Sequence, residues 1–240
     1  MTDADLHFWF DPVCPFAWMT SRWVRLVAAQ RAYDVQWRPI SLRLLNRSVD
    51  YASHFPPEYE AGHTAGLRLL RVIARARAEH GTDAVGPLYE VLGRRIFMGE
   101  QPTSSVPGRL DRGELLPDAL AEAGLPADLA AALEDASWDA ELQTETDAAL
   151  ALAGKDVGTP VLHFSPPEGV AFFGPVISRL PDEADAVRLW DHVVGLASFP
   201  GFAELKRSLR ELPQLPALGV RPDEVGVQED WHSGSRRQKR

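Results

Sequence analysis

The sequence predicts an α/β protein laid out as β-α-β, a block of helices, then β-β-α. Three observations carry that prediction. The aromatic run LHFWF (6–10) stops at Asp11-Pro12, residues 53–154 repeat apolar side chains at helical spacing, and strand-like runs return after Gly154 as TPVLHF (159–164) and VAFFGPV (170–176). The chain has 240 residues, 45% hydrophobic and 25% charged, enough to bury a sizeable core in one elaborated domain or two small ones.

LHFWF reads as a buried strand. After Pro15 neither proline nor glycine occurs up to Ala32, and Trp18, Trp23, Val24, Val27 and Ala28 give helical spacing. VQWRPISL (35–42) is expected to be a second strand, with Pro39 marking an edge or a bulge. LRLLRVIARARA (67–78) is helical and apolar over a wide arc, which places it centrally. Val85, Leu88, Tyr89, Leu92 and Ile96 share one helical face. EQPTSSVPGR (100–109) is rich in turn formers and is expected to be a loop. Leu115, Leu116, Ala119, Leu120 and Ala123 mark another helix, ended by Gly124. Pro126 suits the first turn of the next, carrying Leu129 and Leu133. Trp138, Leu142, Ala149 and Leu150 mark one more, closed by Gly154. TPVLHF, the turn SPPEG and VAFFGPV then form a hairpin. Pro181-Asp182 opens a helix with Val187, Trp190, Val194 and Ala197 on one face, and Pro200-Gly201 is expected to kink or split it before FAELKRSL.

The boundaries follow. Residues 1–52 and 155–211 form two halves of one α/β unit, 53–154 a helical insertion, and 212–240, where prolines accumulate and periodicity fades, a disordered tail.

Composition excludes several classes. A net charge of −9 argues against nucleic acid and anionic membrane partners, and the basic end SGSRRQKR (233–240) is short. No run of about 20 apolar residues is available to span a membrane, and MTDADLHFWFDP lacks the layout of a secretory signal. One cysteine allows no internal disulfide, which fits the reducing cytoplasm. The seven histidines form no ligand pattern, so no metal is expected, and no glycine-rich phosphate loop is present.

The remaining chemistry centres on Cys14. It follows a strand and an Asp-Pro turn and precedes a helix, whose first N–H groups lack partners and whose dipole is positive at that end. A thiolate there is stabilised, so its pKa is expected below the free value of about 8.5. Pro15 costs nothing at the first turn. The alternative is a small buried hydrophobe, as most free cysteines are. Asp11 is expected to form the turn or cap, with proton transfer the second possibility. Thr159-Pro160 opens a strand, either as an ordinary boundary or as a cis proline facing a ligand. His163 follows on that strand, and His63 on the first inserted helix is a candidate pocket residue. The aromatic side chains Phe8, Trp9, Phe10, Phe16, Trp18, Phe172 and Phe173 are expected mainly in the core, with a few flooring a pocket for a planar substrate.

Together, FWFDPVCPFAWMTSRWV, PPEYEAG, GKDVGTPVLHF, VAFFGPVISRLP and LWDHVVGLASFPGFAELKR resemble the DsbA family: a thioredoxin-like fold with an inserted all-helical domain. Within it the chain is most similar to the mycothiol-dependent nitroreductase branch of actinobacteria. The resemblance implies that Cys14 is the nucleophile. Thr159 and Pro160 would form the cis-proline pair whose backbone holds a thiol substrate. Pro15, Phe16, Ala17 and Trp18 would belong to the active-site helix. It also implies mycothiol, or another low-molecular-weight thiol, as co-substrate, with no tightly bound cofactor. Members carry Cys-Pro-Trp-Cys, whereas this chain has Cys14-Pro15-Phe16-Ala17. Without a second thiol no internal disulfide forms, and an external thiol must resolve any mixed disulfide. The expected activity is therefore a thiol-dependent, monothiol oxidoreductase, a nitroreductase-like or disulfide-exchange enzyme acting on a small acceptor. A transferase or isomerase of kappa-glutathione-transferase type, and a non-catalytic thioredoxin-fold binder, stay open beside it. So does a homodimer paired through the helical cap.

Overall fold

The computed structural model describes residues 4–99, 113–232 and 235–236. In chain order the elements are β1 (Leu6–Phe10), α1 (Pro15–Gln30), β2 (Val35–Pro39), α2 (Leu42–Leu45), α3 (Tyr51–His54), α4 (Glu58–His80), α5 (Val85–Phe97), α6 (Leu116–Glu122) and α7 (Asp139–Ala153). They continue with β3 (Val161–Phe164), β4 (Ala171–Phe173), α8 (Glu183–Ala197), β5 (Leu209–Glu211), β6 (Gln228–His232) and β7 (Ser235–Arg236). Four strands make the main sheet in the order β2-β1-β3-β4. β1 pairs in parallel with β2 and antiparallel with β3, and β3 pairs antiparallel with β4. A parallel β-α-β unit joined to an antiparallel hairpin and a closing helix is the thioredoxin-like topology, here with helices α2–α7 between its halves.

The period of two along each strand sorts the core into layers. Phe8, Phe10, Leu162 and Phe164 lie on one face and are buried against α1 and α8. There Trp190 of α8 meets Trp23 of α1 at 5.4 Å between ring centres and Phe164 at 5.7 Å. Trp9 and Val161 lie on the other face with Ile40 and Ala149 of α7. Over that face Arg38 spans Trp9, forks onto Glu145, and shares Glu145 with Arg77 of α4. A carboxylate held by two part-buried guanidiniums ties β2, α4 and α7 into one block.

α4 is central, as its wide apolar arc demands: Leu69, Leu70, Val72 and Ile73 are fully buried. α5 lies against α1 so closely that a Cβ on Gly93 would stand 2.2 Å from the Trp18 ring. The indole fills the space a side chain would take.

Several expectations change. The second strand stops at Pro39, because the Ser41 hydroxyl caps α2 through the Leu44 N–H and helix begins at once. Pro39 does lie on an edge strand. Residues 127–134 form a 3₁₀ helix that begins after Pro126. α8 ends at Ala197, and no helix resumes in 202–208. The expected loop 100–109 lies outside the described residues. The largest correction concerns the expected disordered tail from 212. β5 pairs antiparallel with β6, Leu215 and Ala217 are buried, and the Gln214 N–H donates to the Ser178 carbonyl at 2.8 Å. Strands of three and five residues leave too little periodicity to read, whereas a few buried anchors suffice to hold them.

Gly93→Ala should overpack the α1–α5 contact and cost about 1–3 kcal/mol. Urea unfolding, followed by tryptophan fluorescence, should show a lower midpoint and an altered native spectrum as Trp18 shifts.

Candidate active site

The turn after β1 delivers Cys14. The Cys14 N–H donates to the Asp11 carbonyl at 3.0 Å, closing a tight turn across Pro12-Val13. Cys14 then sits at the N-cap of α1 with extended backbone, and Pro15 occupies the first helical position. Its sulfur accepts the Ala17 N–H at 3.4 Å, in the manner of a capping oxygen. The thiol also donates to the Thr159 carbonyl at 3.5 Å. Thr159-Pro160, a cis peptide, opens β3, and that contact sets its backbone against the helix start. Cys14, Pro15, Ala17, Thr159 and Pro160 thus form one cluster from two distant parts of the chain. Ala17 stands where a second thiol would lie, and its N–H serves the sulfur instead.

The surroundings bear on ionisation, and they overturn the expected depression of the thiol. Cys14 is only 7% exposed. Burial pushes the Cys14 thiol up, and the nearby Asp11 carboxylate adds to that. The Thr159 hydroxyl and the Ala17 and Phe16 N–H groups pull the other way without prevailing. The Thr159 hydroxyl is itself buried without a hydrogen-bond partner among the described residues, so it is available to a charged sulfur. Asp11 is fully buried, its two oxygens accepting the Val13 N–H at 3.1 Å and the Leu42 N–H at 2.8 Å. Burial raises it to about 7 even so. A Cβ on Gly66 would lie 2.6 Å from this carboxylate, so α4 seals it from that side. The helix-terminus argument fails here because desolvation of a buried sulfur outweighs the pull of a few N–H groups.

Other expected site residues are distributed more widely. Phe16 is buried beside the thiol turn. Trp18 is turned toward α5, stacked on Phe97 and edge-on to Tyr89, so it supports the helix from beneath. His63 is buried in a ring cluster with Tyr51, Phe55 and Tyr59, its Nδ1 3.1 Å from the Tyr51 hydroxyl. Burial lowers it to about 4, keeping it neutral. It makes no contact with Cys14. His163 lies on the opposite sheet face, against Trp9 and His7, and donates to the Gly169 carbonyl. Phe8, Trp9 and Phe10 are fully buried, whereas Phe172 and Phe173 are half-buried and able to meet a ligand. No metal-holding group of side chains occurs among the described residues, and none of their helices is long and apolar enough to cross a membrane.

Sequence reasoning missed Tyr89 and Arg210. Tyr89 stacks on Phe10, and burial pushes its phenol well up, with Cys14 adding a smaller push, so it stays neutral. Burial lowers the Arg210 guanidinium on β5, with a smaller opposing pull from Cys14. The helical spacing of Tyr89 marked a core position, and β5 was not legible.

Asp11 and His63 set opposite pH slopes. A carboxyl raised on folding contributes stability below its unfolded value near 4, lost as pH climbs to about 7. A histidine lowered to about 4 contributes stability above its unfolded value near 6.5, lost as pH falls through that window. The stability of the native chain relative to Asp11→Asn should therefore be greater at pH 5 than at pH 7.5, and relative to His63→Gln smaller at pH 4.5 than at pH 7.5. Urea midpoints at each pH check both signs.

A family model described as Rv2466c-like, mycothiol-dependent nitroreductase Rv2466c, matches residues 13–207, a span that takes in Cys14 and Thr159-Pro160. The uncharacterized protein Rv2286c of Mycobacterium tuberculosis is 32% identical over 218 residues, 90% of this chain and 84% of its own length. Among solved structures, the cytosolic disulfide reductase DsbM from Pseudomonas aeruginosa superposes with TM-score 0.47 at 18% identity, over 80% of this chain and 99% of that one. The same reductase with GSH gives TM-score 0.47 at 17% identity, with the same coverage. With the family match running from the thiol turn to beyond α8, the chain belongs to the Rv2466c-like family of mycothiol-dependent nitroreductases.

Proposed function

We propose that this protein is a monothiol reductase that draws electrons from a low-molecular-weight thiol, mycothiol in the family's case, and passes them to a small acceptor through Cys14. One observation carries the reading: the only cysteine in the chain caps α1 and hydrogen-bonds the backbone of Thr159. That contact sets the Thr159-Pro160 backbone, just ahead of β3, beside the sulfur, a position that suits a thiol ligand's own backbone-like groups.

The chemistry balances with an outside thiol. The Cys14 thiolate attacks a disulfide RS–SR′, forming Cys14–S–S–R and releasing R′S⁻. A second thiolate, R″S⁻, then attacks the R sulfur, giving R″S–SR and regenerating the Cys14 thiolate. With a nitro acceptor, two thiols become one disulfide while the nitro group becomes nitroso and one water leaves. In both cases Ala17 removes the internal shortcut by which a dithiol site would expel its substrate. Phe172 and Phe173, half-buried near the end of the hairpin, suit a flat acceptor.

A second reading has one observation in its favour. Burial holds the Cys14 thiol up, away from the thiolate. That suits a site in which the bound thiol is the reagent and Cys14 only helps seat it, as in thiol-dependent transferases or isomerases.

Incubation of the whole chain with mycothiol disulfide should add the mass of a single mycothiyl group, removable by excess mycothiol. Cys14→Ser should take up none and lose turnover at least about 100-fold. Full turnover by Cys14→Ser would give the second reading the site.

A further inference from the structure

Past the thiol turn, α1 carries Trp18, Arg22 and Arg25 at i, i+4 and i+7, on one helical face. Glu90 and Arg94 of α5, with Met98 at its cap, repeat at i, i+4 and i+8. These six side chains line a cavity of about 220 Å³. Neither Cys14 nor Thr159-Pro160 is among them, and Arg22 stands roughly 12 Å further along the helix axis than Cys14. The cavity is therefore separate from the thiol cluster.

Its charges are unbalanced. Elsewhere the half-buried guanidiniums of Arg38, Arg71 and Arg77 each hold a carboxylate within 2.9 Å. Arg22 is half-buried too, but its one polar contact among the described residues is with the Met98 sulfur at 3.8 Å. Burial pushes its guanidinium down with no counterion to offset the cost. Arg25 is fixed by the Gly86 carbonyl at 2.9 Å and by the Trp37 ring, whose centre lies 4.1 Å from its guanidinium carbon. Its carboxylate partner, the exposed Glu90, is 3.8 Å away. Arg94 is already engaged by Glu122 of α6 at 2.5 Å.

Donors are left over as well. Arg25 Nε and Trp18 Nε1 are buried with no hydrogen-bond partner among the described residues, and Trp18 is 2% exposed. Buried donors without acceptors are costly and rare. An oxoanion supplies what this lining lacks: negative charge for Arg22, and paired oxygens that match a guanidinium fork. The Trp18 ring and the Met98 thioether give an apolar wall to whatever carries the anion. The volume is below that of a drug-sized pocket, so the occupant is small.

We propose that the α1–α5 cavity binds a small organic oxoanion, a carboxylate or phosphate ester with a short apolar body, its head held by Arg22 and Arg25. The site does not rest on the thiol reading above.

Benzoate, phenyl phosphate and inorganic phosphate are titrated into the whole chain at pH 7.5 and constant ionic strength, with binding read by calorimetry and tryptophan fluorescence. Benzoate or phenyl phosphate should bind at one site, and whichever binds tighter identifies the head. Arg22→Gln should weaken that binding at least about 10-fold, with Arg22→Lys intermediate. Arg188→Gln, which removes an exposed arginine of α8, should match the native chain. No binding of either organic anion overturns the proposal, as does native affinity in Arg22→Gln or an equal loss in Arg188→Gln. Inorganic phosphate binding as tightly as phenyl phosphate refutes the apolar contact. Should Arg22→Gln fail to fold, phenylglyoxal labelling of the native chain decides, read by peptide mass. Protection of Arg22 but not Arg188 by the bound anion supports the proposal, and equal labelling of Arg22 with and without the anion overturns it.

Discussion

β1 is hydrogen-bonded along both edges, in parallel to β2 and antiparallel to β3, and its carboxyl end has no freedom left. Leu6 stands opposite Val35 on one side and Phe164 on the other, and Trp9 opposite Arg38 and Val161. The chain must therefore leave Phe10 at a fixed height and direction. Asp11 turns it, and the turn places Cys14 beside the residue that precedes Val161 by two, Thr159. A sulfur and a backbone carbonyl 145 residues apart meet because one strand is paired with both of their elements.

The same double pairing explains why the thiol is buried. The sheet face under the turn is covered by α1 and α5, α4 closes over Asp11, and the hairpin covers the remaining side. Desolvation then governs both acids of the turn. Burial raises Asp11 to about 7 and raises Cys14 above an ordinary thiol, and the Asp11 carboxylate adds to the push on Cys14. Below about pH 7 the resting site is thus close to neutral. On the proposed mechanism, reaction there depends on a partner that brings its own thiolate.

Much of this was legible in the residues. Strand β1, the cap at Cys14, α4 and α5, the hairpin and α8 follow from periodicity, proline placement and terminal glycines, because those signals are local. The cysteine and Thr159-Pro160 were visible as one motif set, since each sits at an element boundary marked by proline. The charge state was not legible. Position at a helix start predicts a lowered thiol, and only burial of the turn, with Asp11 beside it, reverses the sign. Nor was β5 legible, since its three residues carry no period and its role arises from pairing with β6 and docking on Ser178 and Arg179. His63 was expected to line a pocket and Trp18 to serve the thiol site on the active-site helix, and in the structure their rings pack: one in a cluster with Tyr51, the other against Gly93.

The proposed mechanism makes one direct claim, that an outside thiol does the work of the missing fourth-position cysteine. Cys14 can be loaded as a mixed disulfide with a labelled thiol, freed of excess reagent, and mixed rapidly with increasing unlabelled thiol. The claim predicts a release rate proportional to the added thiol, with an intercept of zero in its absence. Release at a finite rate without added thiol would contradict it, because some group of the protein would then be resolving the bond.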